Sequence, residues 1–274
     1  MKRERGPSVG LHVALVGLAV LTAAPLLWMV SASLMPQGDA NTSPPPLFPR
    51  HITFEHYVML FTRLDLGRCF ANSAFIAIVG TAFSTFINAM AGYAFAKLRF
   101  RGRDRIFQLL LMAMVVPTQV GMLPLFLELK AMGFVNSPIG VMIPYLSSVF
   151  GIFLVRQHVL GVPDDLMDAA RVDGAGEFRI FWSVVVPVIR PILVTLAAYS
   201  FLSAWNDFLW PLIVLSEESR FTLPVALANL SGEHIQDTEL MMAGSVVTVL
   251  PVIAMFLALQ RFYTQGATAG SVKG

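Results

Sequence analysis

The sequence predicts an all-α integral membrane protein of six transmembrane helices with both termini in the cytoplasm. Three observations carry that expectation. Hydrophobic residues make up 56% of the chain and charged residues only 13%, about half the charged share of a soluble domain. The charges are confined to short windows between long uncharged runs. Fourteen of the nineteen Lys and Arg residues fall in alternate windows, counted from the N-terminus, and five in the others. Basic residues collect on the cytoplasmic side, so this asymmetry puts both ends inside.

Each run approaches the ~20 apolar residues that cross ~30 Å of hydrocarbon at ~1.5 Å per residue. The first lies between Gly10 and Leu34, and the second from Phe70 to Ala96. The third spans Ile106 to Leu127, with kinks expected at Pro117 and Pro124. The fourth falls within Pro138 to Val155, the fifth runs from Pro191 to Leu215, and the sixth from Leu240 to Gln260. Backbone polar groups in lipid must be satisfied inside each segment, so the runs are helices, and they are too long for barrel strands. The first run follows Lys2, Arg3 and Arg5. It exceeds the ~7–15 residues of a signal-peptide core and reads as an uncleaved helix. A cleaved signal ending near Ser31-Ala32-Ser33 is the alternative.

The organisation that follows has three parts. Residues 1–69 hold the N-terminal tail, the first helix and an outer connection marked by Pro44, Pro45, Pro46 and Pro49. Residues 70–262 form a core of five helices with a cytoplasmic loop at 156–190. Residues 263–274 are a cytoplasmic tail.

Several function classes find no support. Nineteen basic against seventeen acidic residues give no broad field for nucleic acid. The single cysteine, Cys69, cannot form an intramolecular disulfide. No Gly-x-x-x-x-Gly-Lys-[Ser/Thr] phosphate loop occurs, so no cofactor is expected and ATP has no site of that kind here. The five histidines are scattered and form no zinc-protease motif, and no Gly-x-Ser-x-Gly elbow is present. The chain reads as a transport protein and not an enzyme.

The loop from Arg156 to Arg190 is patterned. Pro163 suits a helix start, and Asp164 and Asp165 suit the first turn. Leu166, Ala169, Ala170 and Asp173 share one helical face, and Asp168 can pair with Arg171 three residues on. Gly174 ends the helix in the manner of a left-handed cap. A second helix is expected to place Phe178, Phe181, Trp182 and Val185 on one apolar stripe, closed by Pro187 and Pro191. Five acids stand against four arginines here, a poor match for a surface of anionic lipid. The small residues Ala169, Ala170 and Gly174 suit protein docking instead.

This loop resembles the EAA loop of ABC importer permeases. The residues that carry the resemblance are Asp168-Ala169-Ala170-Arg171-Val172-Asp173-Gly174-Ala175, then Phe181, Val186 and Pro187. The family pattern has Glu-Ala-Ala, a glycine and an Ile-x-Leu-Pro ending. This chain has Asp168 for the glutamate and Val184-Val185-Val186-Pro187 for the ending. Gly92-Tyr93-Ala94-Phe95-Ala96-Lys97, Ala204-Trp205-Asn206-Asp207-Phe208-Leu209-Trp210-Pro211 and the ending Thr268 to Gly274 are similar to the carbohydrate-uptake branch, on the maltose-type second permease. The resemblance implies a type I importer permease fold in the inner membrane, a second homologous permease subunit, a cytoplasmic ATPase dimer that binds the ATP, and an extracytoplasmic solute-binding protein. It implies that Asp168, Ala169, Ala170, Asp173, Gly174 and Pro187 couple to the ATPase, that the tail residues Gly270, Lys273 and Gly274 touch it, and that a sugar or oligosaccharide is carried.

An ion-coupled secondary transporter is the rival reading, because such proteins place ionisable groups within their spans. Only Asp207 meets that description. It follows Pro191 by sixteen positions, roughly 24 Å of helix, near the outer interface, with Trp205 and Trp210 beside it. Asn206 and Asp207 are candidates for the translocation path. Asn72, Asn88, Gln119 and Tyr145 are expected to make interhelical hydrogen bonds.

Overall fold

A computed structural model describes residues 9–233 and 237–269. Among the described residues the regular structure is helical throughout. The order is α1 (Val9–Ala32), α2 (Glu55–Thr62), α3 (Leu66–Lys97), α4 (Arg103–Ala113), α5 (Met122–Ala131), α6 (Pro138–Met142), α7 (Val149–Leu160), α8 (Asp164–Val172), α9 (Glu177–Ile180), α10 (Val186–Val188), α11 (Arg190–Trp205), α12 (Leu209–Val214), α13 (Leu223–Glu233) and α14 (Thr238–Ala269).

Among the described residues, three helices are long and apolar enough to cross a membrane singly: Val9–Ala32, Leu66–Lys97 and Thr238–Gln260. Three bent pairs could each supply one more. Arg103–Ala113 meets Thr118–Ala131 at 98°, Pro138–Tyr145 meets Val149–Leu160 at 44°, and Glu177–Val188 meets Arg190–Trp205 at 86°. The outer faces are those of a lipid-solvated chain. Val13, Val16 and Leu21 on α1 and Leu109 and Met112 on α4 are more than half exposed, a burden no water-facing helix of this composition would carry.

Three expected spans differ from a continuous helix, the fourth by the break between Tyr145 and Val149. The third run breaks at Pro117, which has no N–H to offer the Ala113 carbonyl and takes an extended conformation at φ −59°, ψ 133°. The kink expected at Pro124 does not occur. That residue lies in the first turn of α5, where backbone N–H groups have no intrahelical acceptor to lose. The fifth run is also two helices, parted at Asn206–Phe208. Here the Asp207 carboxylate caps α12, its Oδ1 accepting from the Leu209 N–H at 3.0 Å. Pro211, again within a first turn, lets the new helix start.

The chain divides into two compact units. The first comprises Met1–Gly67 and Ala226–Pro251. Trp28, Ala32, Met35, Ala40 and Met242 pack together there. A buried polar cluster joins the outer connection to the start of α14. Asp237 caps that helix through the Leu240 N–H at 2.9 Å, and fully buried Glu239 accepts the Ala40 N–H at 2.7 Å. His56 meets the Met35 carbonyl at 2.9 Å. The helix begins two residues before the apolar run does, so Glu239 escapes a reading based on hydropathy.

The second unit comprises Arg68–Val225 and Val252–Gly274. Its helices approach closely through small residues. A Cβ on Gly92 of α3 would lie 2.6 Å from Val155 of α7. Asn88 makes one of the expected interhelical bonds, accepting the Ser148 N–H at 2.9 Å while Ser148 caps α7. Asn72 donates to the Ser219 and Phe221 carbonyls at 3.1 Å.

Candidate functional site

The patterned loop folds as the sequence predicts up to Gly174. Pro163 at φ −58°, ψ 135° leads into α8, and Asp164 and Asp165 occupy its first turn. Gly174 has φ +80°. The Gly174 N–H donates to the Arg171 carbonyl at 3.0 Å and the Ala175 N–H to the Ala170 carbonyl at 2.9 Å. That pair of bonds is the Schellman closure, which needs a left-handed residue at this place.

The second half departs from expectation. The chain stays helical from Glu177 to Val188, with Phe181–Val185 widened to a π-helical turn between α9 and α10. Pro187 does not close this helix. It lacks the N–H that Ser183 would accept, and the wider turn shifts the bonding register around it. The break comes instead at Ile189, with Pro191 in the first turn of α11. The expected apolar stripe is divided as well. Ile180, Phe181, Val185 and Ile189 are buried, whereas Phe178 and Trp182 are 62% and 56% exposed. Phe178 and Trp182, four apart, share the exposed side, and Phe181 and Val185, also four apart, share the buried one.

The loop is mounted on the membrane helices. Met167, Ile180, Phe181, Val185 and Ile189 share one core with Ala89, Tyr93 and Ala96 of α3 and with Val155 and Val159 of α7. Polar ties reinforce it. The Lys97 ammonium donates to the Val162 carbonyl and to the Asp164 carboxylate, both at 2.7 Å. Tyr93 donates to Glu177 Oε2 at 2.6 Å. Arg171 bridges the two arms of the loop, meeting Asp168 at 2.7 Å and Glu177 Oε1 at 2.9 Å. These neighbours move the titrations. The hydrogen bond from Lys97 holds Asp164 below the usual carboxylate range. Arg171, then Tyr93, does the same for Glu177, and the bonds to Glu177 and Asp168 push Arg171 further up.

The resulting surface carries no nucleophile poised beside a base. Asp168, Ala169, Asp173 and Gly174 are exposed, Ala170 is half-buried against the core, and Pro187 is exposed. Leu166 at 46% and Val172 at 87% add apolar area beside the acids. A mixed acidic and apolar face on a rigid base suits docking by a protein.

Comparison with known proteins decides the family. Residues 88–267 match the family described as binding-protein-dependent transport system inner membrane component. The chain belongs to this family. It is 36% identical, over the full length of both, to the arabinooligosaccharides transport system permease protein AraQ of Halalkalibacterium halodurans. It is 33% identical to the lactose transport system permease protein LacG of Rhizobium radiobacter, over 99% of this chain and 98% of that one. In fold it is similar to a chain in the crystal structure of a bacterial ABC transporter involved in the import of the acidic polysaccharide alginate. The TM-score is 0.81, at 23% identity, over 94% of this chain and 99% of that one.

This inner membrane transport component places its other candidates apart from the loop. Asp207 sits in the break between α11 and α12 and also accepts a hydrogen bond from Tyr145, the interhelical bond expected of that tyrosine. Asn206 is exposed beside it. Gly270, Lys273 and Gly274 lie outside the described residues. The sequence reading missed Tyr93, Lys97 and Glu177 as ties between loop and core. A tyrosine and a lysine one helical turn apart at the end of an apolar run were the available signal.

Proposed function

We propose that this chain is one membrane-spanning permease subunit of an ATP-driven, binding-protein-dependent importer for a sugar or oligosaccharide. The observation that carries the proposal is the exposed face of α8, acidic and apolar, fixed to α3 and α7 through a shared core. The chain crosses the inner membrane six times with both termini in the cytoplasm. It pairs with a second permease of similar fold. A cytoplasmic ATPase dimer grips α8 and the Gly174 turn, and a solute-binding protein delivers cargo from outside. The relatives named for arabinooligosaccharides and lactose support a carbohydrate cargo.

Mechanically, the mounting matters more than the contact. A force applied at Val172 passes through Met167 and Ile180 into the core that holds α3, α7 and the start of α11. A packed core moves between discrete arrangements and does not deform continuously. Nucleotide binding to the ATPase then shifts the balance of inward-open and outward-open states by the difference in its affinity for each. Asp168, Ala169, Ala170, Asp173, Gly174 and Pro187 serve this coupling. Gly270, Lys273 and Gly274 reach the ATPase, and Asn206 and Asp207 border the path.

Two measurements test the reading. A reporter active only outside the cytoplasm should respond when fused after Ser216 and stay silent after Arg103 or Gly274. The reverse pattern overturns the topology. Proteoliposomes made from the complex purified on a tag of this chain should take up labelled oligosaccharide only with ATP inside and binding protein outside. Uptake driven by a proton or sodium gradient without ATP would replace the importer by an ion-coupled transporter.

A further inference from the structure

The turn between α3 and α4 carries the largest cluster of basic residues in the chain. Lys97, Arg99, Arg101, Arg103 and Arg105 fall within nine residues, against one acid, Asp104. Two of these cations are committed. Lys97 is bonded to Val162 and Asp164. Arg103 bonds to the Asp104 carboxylate at 3.0 Å and to the Leu98 carbonyl. Arg101 and Arg105 are exposed and make no hydrogen bond or ion pair among the described residues. Gly102 at φ +80° folds the turn back on itself. Arg99, Phe100, Gly102, Arg103, Asp104 and Arg105 line an open concavity of about 550 Å³.

What lies beyond the turn identifies its occupant. Arg105 precedes Leu109 by four residues and Met112 by seven, so the three share one face of α4. Leu109 is 65% and Met112 66% exposed. Phe100 at 42% and Ile106 at 44% present further apolar surface at the level of the arginines. Uncommitted cations above a continuous apolar stripe match an anionic headgroup above acyl chains. An acidic protein surface would match the arginines but leave the stripe unexplained.

We infer that the Arg99–Arg105 turn is a binding site for an anionic phospholipid. The headgroup phosphate sits at the concavity against Arg105, with the exposed Arg101 beside the turn, and the acyl chains run along Ile106, Leu109 and Met112. The inference goes beyond the importer reading and holds whether or not that reading does. It concerns the lipid next to the helix that carries Lys97.

The test uses the purified full-length chain in nanodiscs made from mixtures of phosphatidylglycerol and phosphatidylcholine. Native mass spectrometry reads which lipid stays bound after release from the disc. The expected result is retention of phosphatidylglycerol over phosphatidylcholine. Each arginine near an anionic surface contributes about fivefold in affinity, so the double variant Arg101→Gln/Arg105→Gln should lose that preference by roughly 25-fold. Arg101→Lys/Arg105→Lys should keep most of it, and Arg50→Gln, in the first unit, should keep all of it. Free glycerol phosphate should not compete, because the stripe contributes. Three outcomes would overturn the inference: no preference in the native chain, an unchanged preference in the glutamine variant, or full competition by glycerol phosphate.

Discussion

Lys97, the last residue of α3, forms an ion pair at 2.7 Å with Asp164, the first residue of α8. The lysine side chain is 8% exposed and the aspartate 72%. The cation is thus nearly covered, and the anion is the handle by which the loop is held.

This asymmetry sets the first prediction. Lys97→Met removes the donor from both Asp164 and the Val162 carbonyl, and ATP-dependent uptake should fall on the order of tenfold. Asp164→Asn keeps a hydrogen-bond acceptor in place and should cost much less. Uptake in reconstituted vesicles, normalised to inserted chain, makes the comparison. Equal effects would mean that the pair matters only through its surface charge.

Gly174 sets the second. A Cβ at this position meets nothing within 4 Å, so a substitution strains the backbone without a clash. The strain at φ +80° is about 1–2 kcal/mol for a residue with a Cβ. Expression and insertion of Gly174→Val should stay near normal, because the core beneath the turn is untouched. Uptake and ATPase retention should fall sharply. Gly174→Asn, which tolerates this conformation, and Gly174→Ala should be milder.

How much of this was legible in the sequence differs along the loop. The α8 helix, the Asp168–Arg171 pair and the Gly174 cap follow from local rules that involve near neighbours only. The π-helical turn at Phe181–Val185 does not, because it lies in a core shared with Ala89 and Tyr93 of α3, residues distant in sequence. The break at Asp207 could have been read. An aspartate two residues before a helical start, with Pro211 in the first turn, is a start signal, but hydropathy runs straight through it. Glu239 was hidden for the opposite reason, since its helix begins before its apolar run.

The pH dependence follows from the carboxylates. Asp164 and Glu177 have folded pKa values below their ordinary 3.8 and 4.5. A depressed carboxylate lends stability above its unfolded pKa and loses it as pH falls through the folded one. Docking of the ATPase should therefore be flat across about pH 6–8 and weaken only in acid below 4.5. Loss of retention between neutral and mildly acidic pH would point to a different titrating group.

Asp207 is held by Tyr145 and by the α12 cap. Asp207→Asn keeps the cap acceptor. It should lower uptake by less than about tenfold and leave the pH profile of transport unchanged. Disappearance of a proton requirement in the variant would assign this carboxylate to ion coupling.

The docking face of α8 can be interrogated directly. A photo-activated cross-linking side chain in place of Val172, which is 87% exposed, would be irradiated in the intact complex in native membranes, and the adducts identified by mass. The expected adduct is the ATPase chain, with none formed from the same group at Leu109 on the lipid-facing side of α4. Adducts at Val172 to lipid alone, in a complex that still contains its ATPase, would contradict the assignment of α8 as the coupling element.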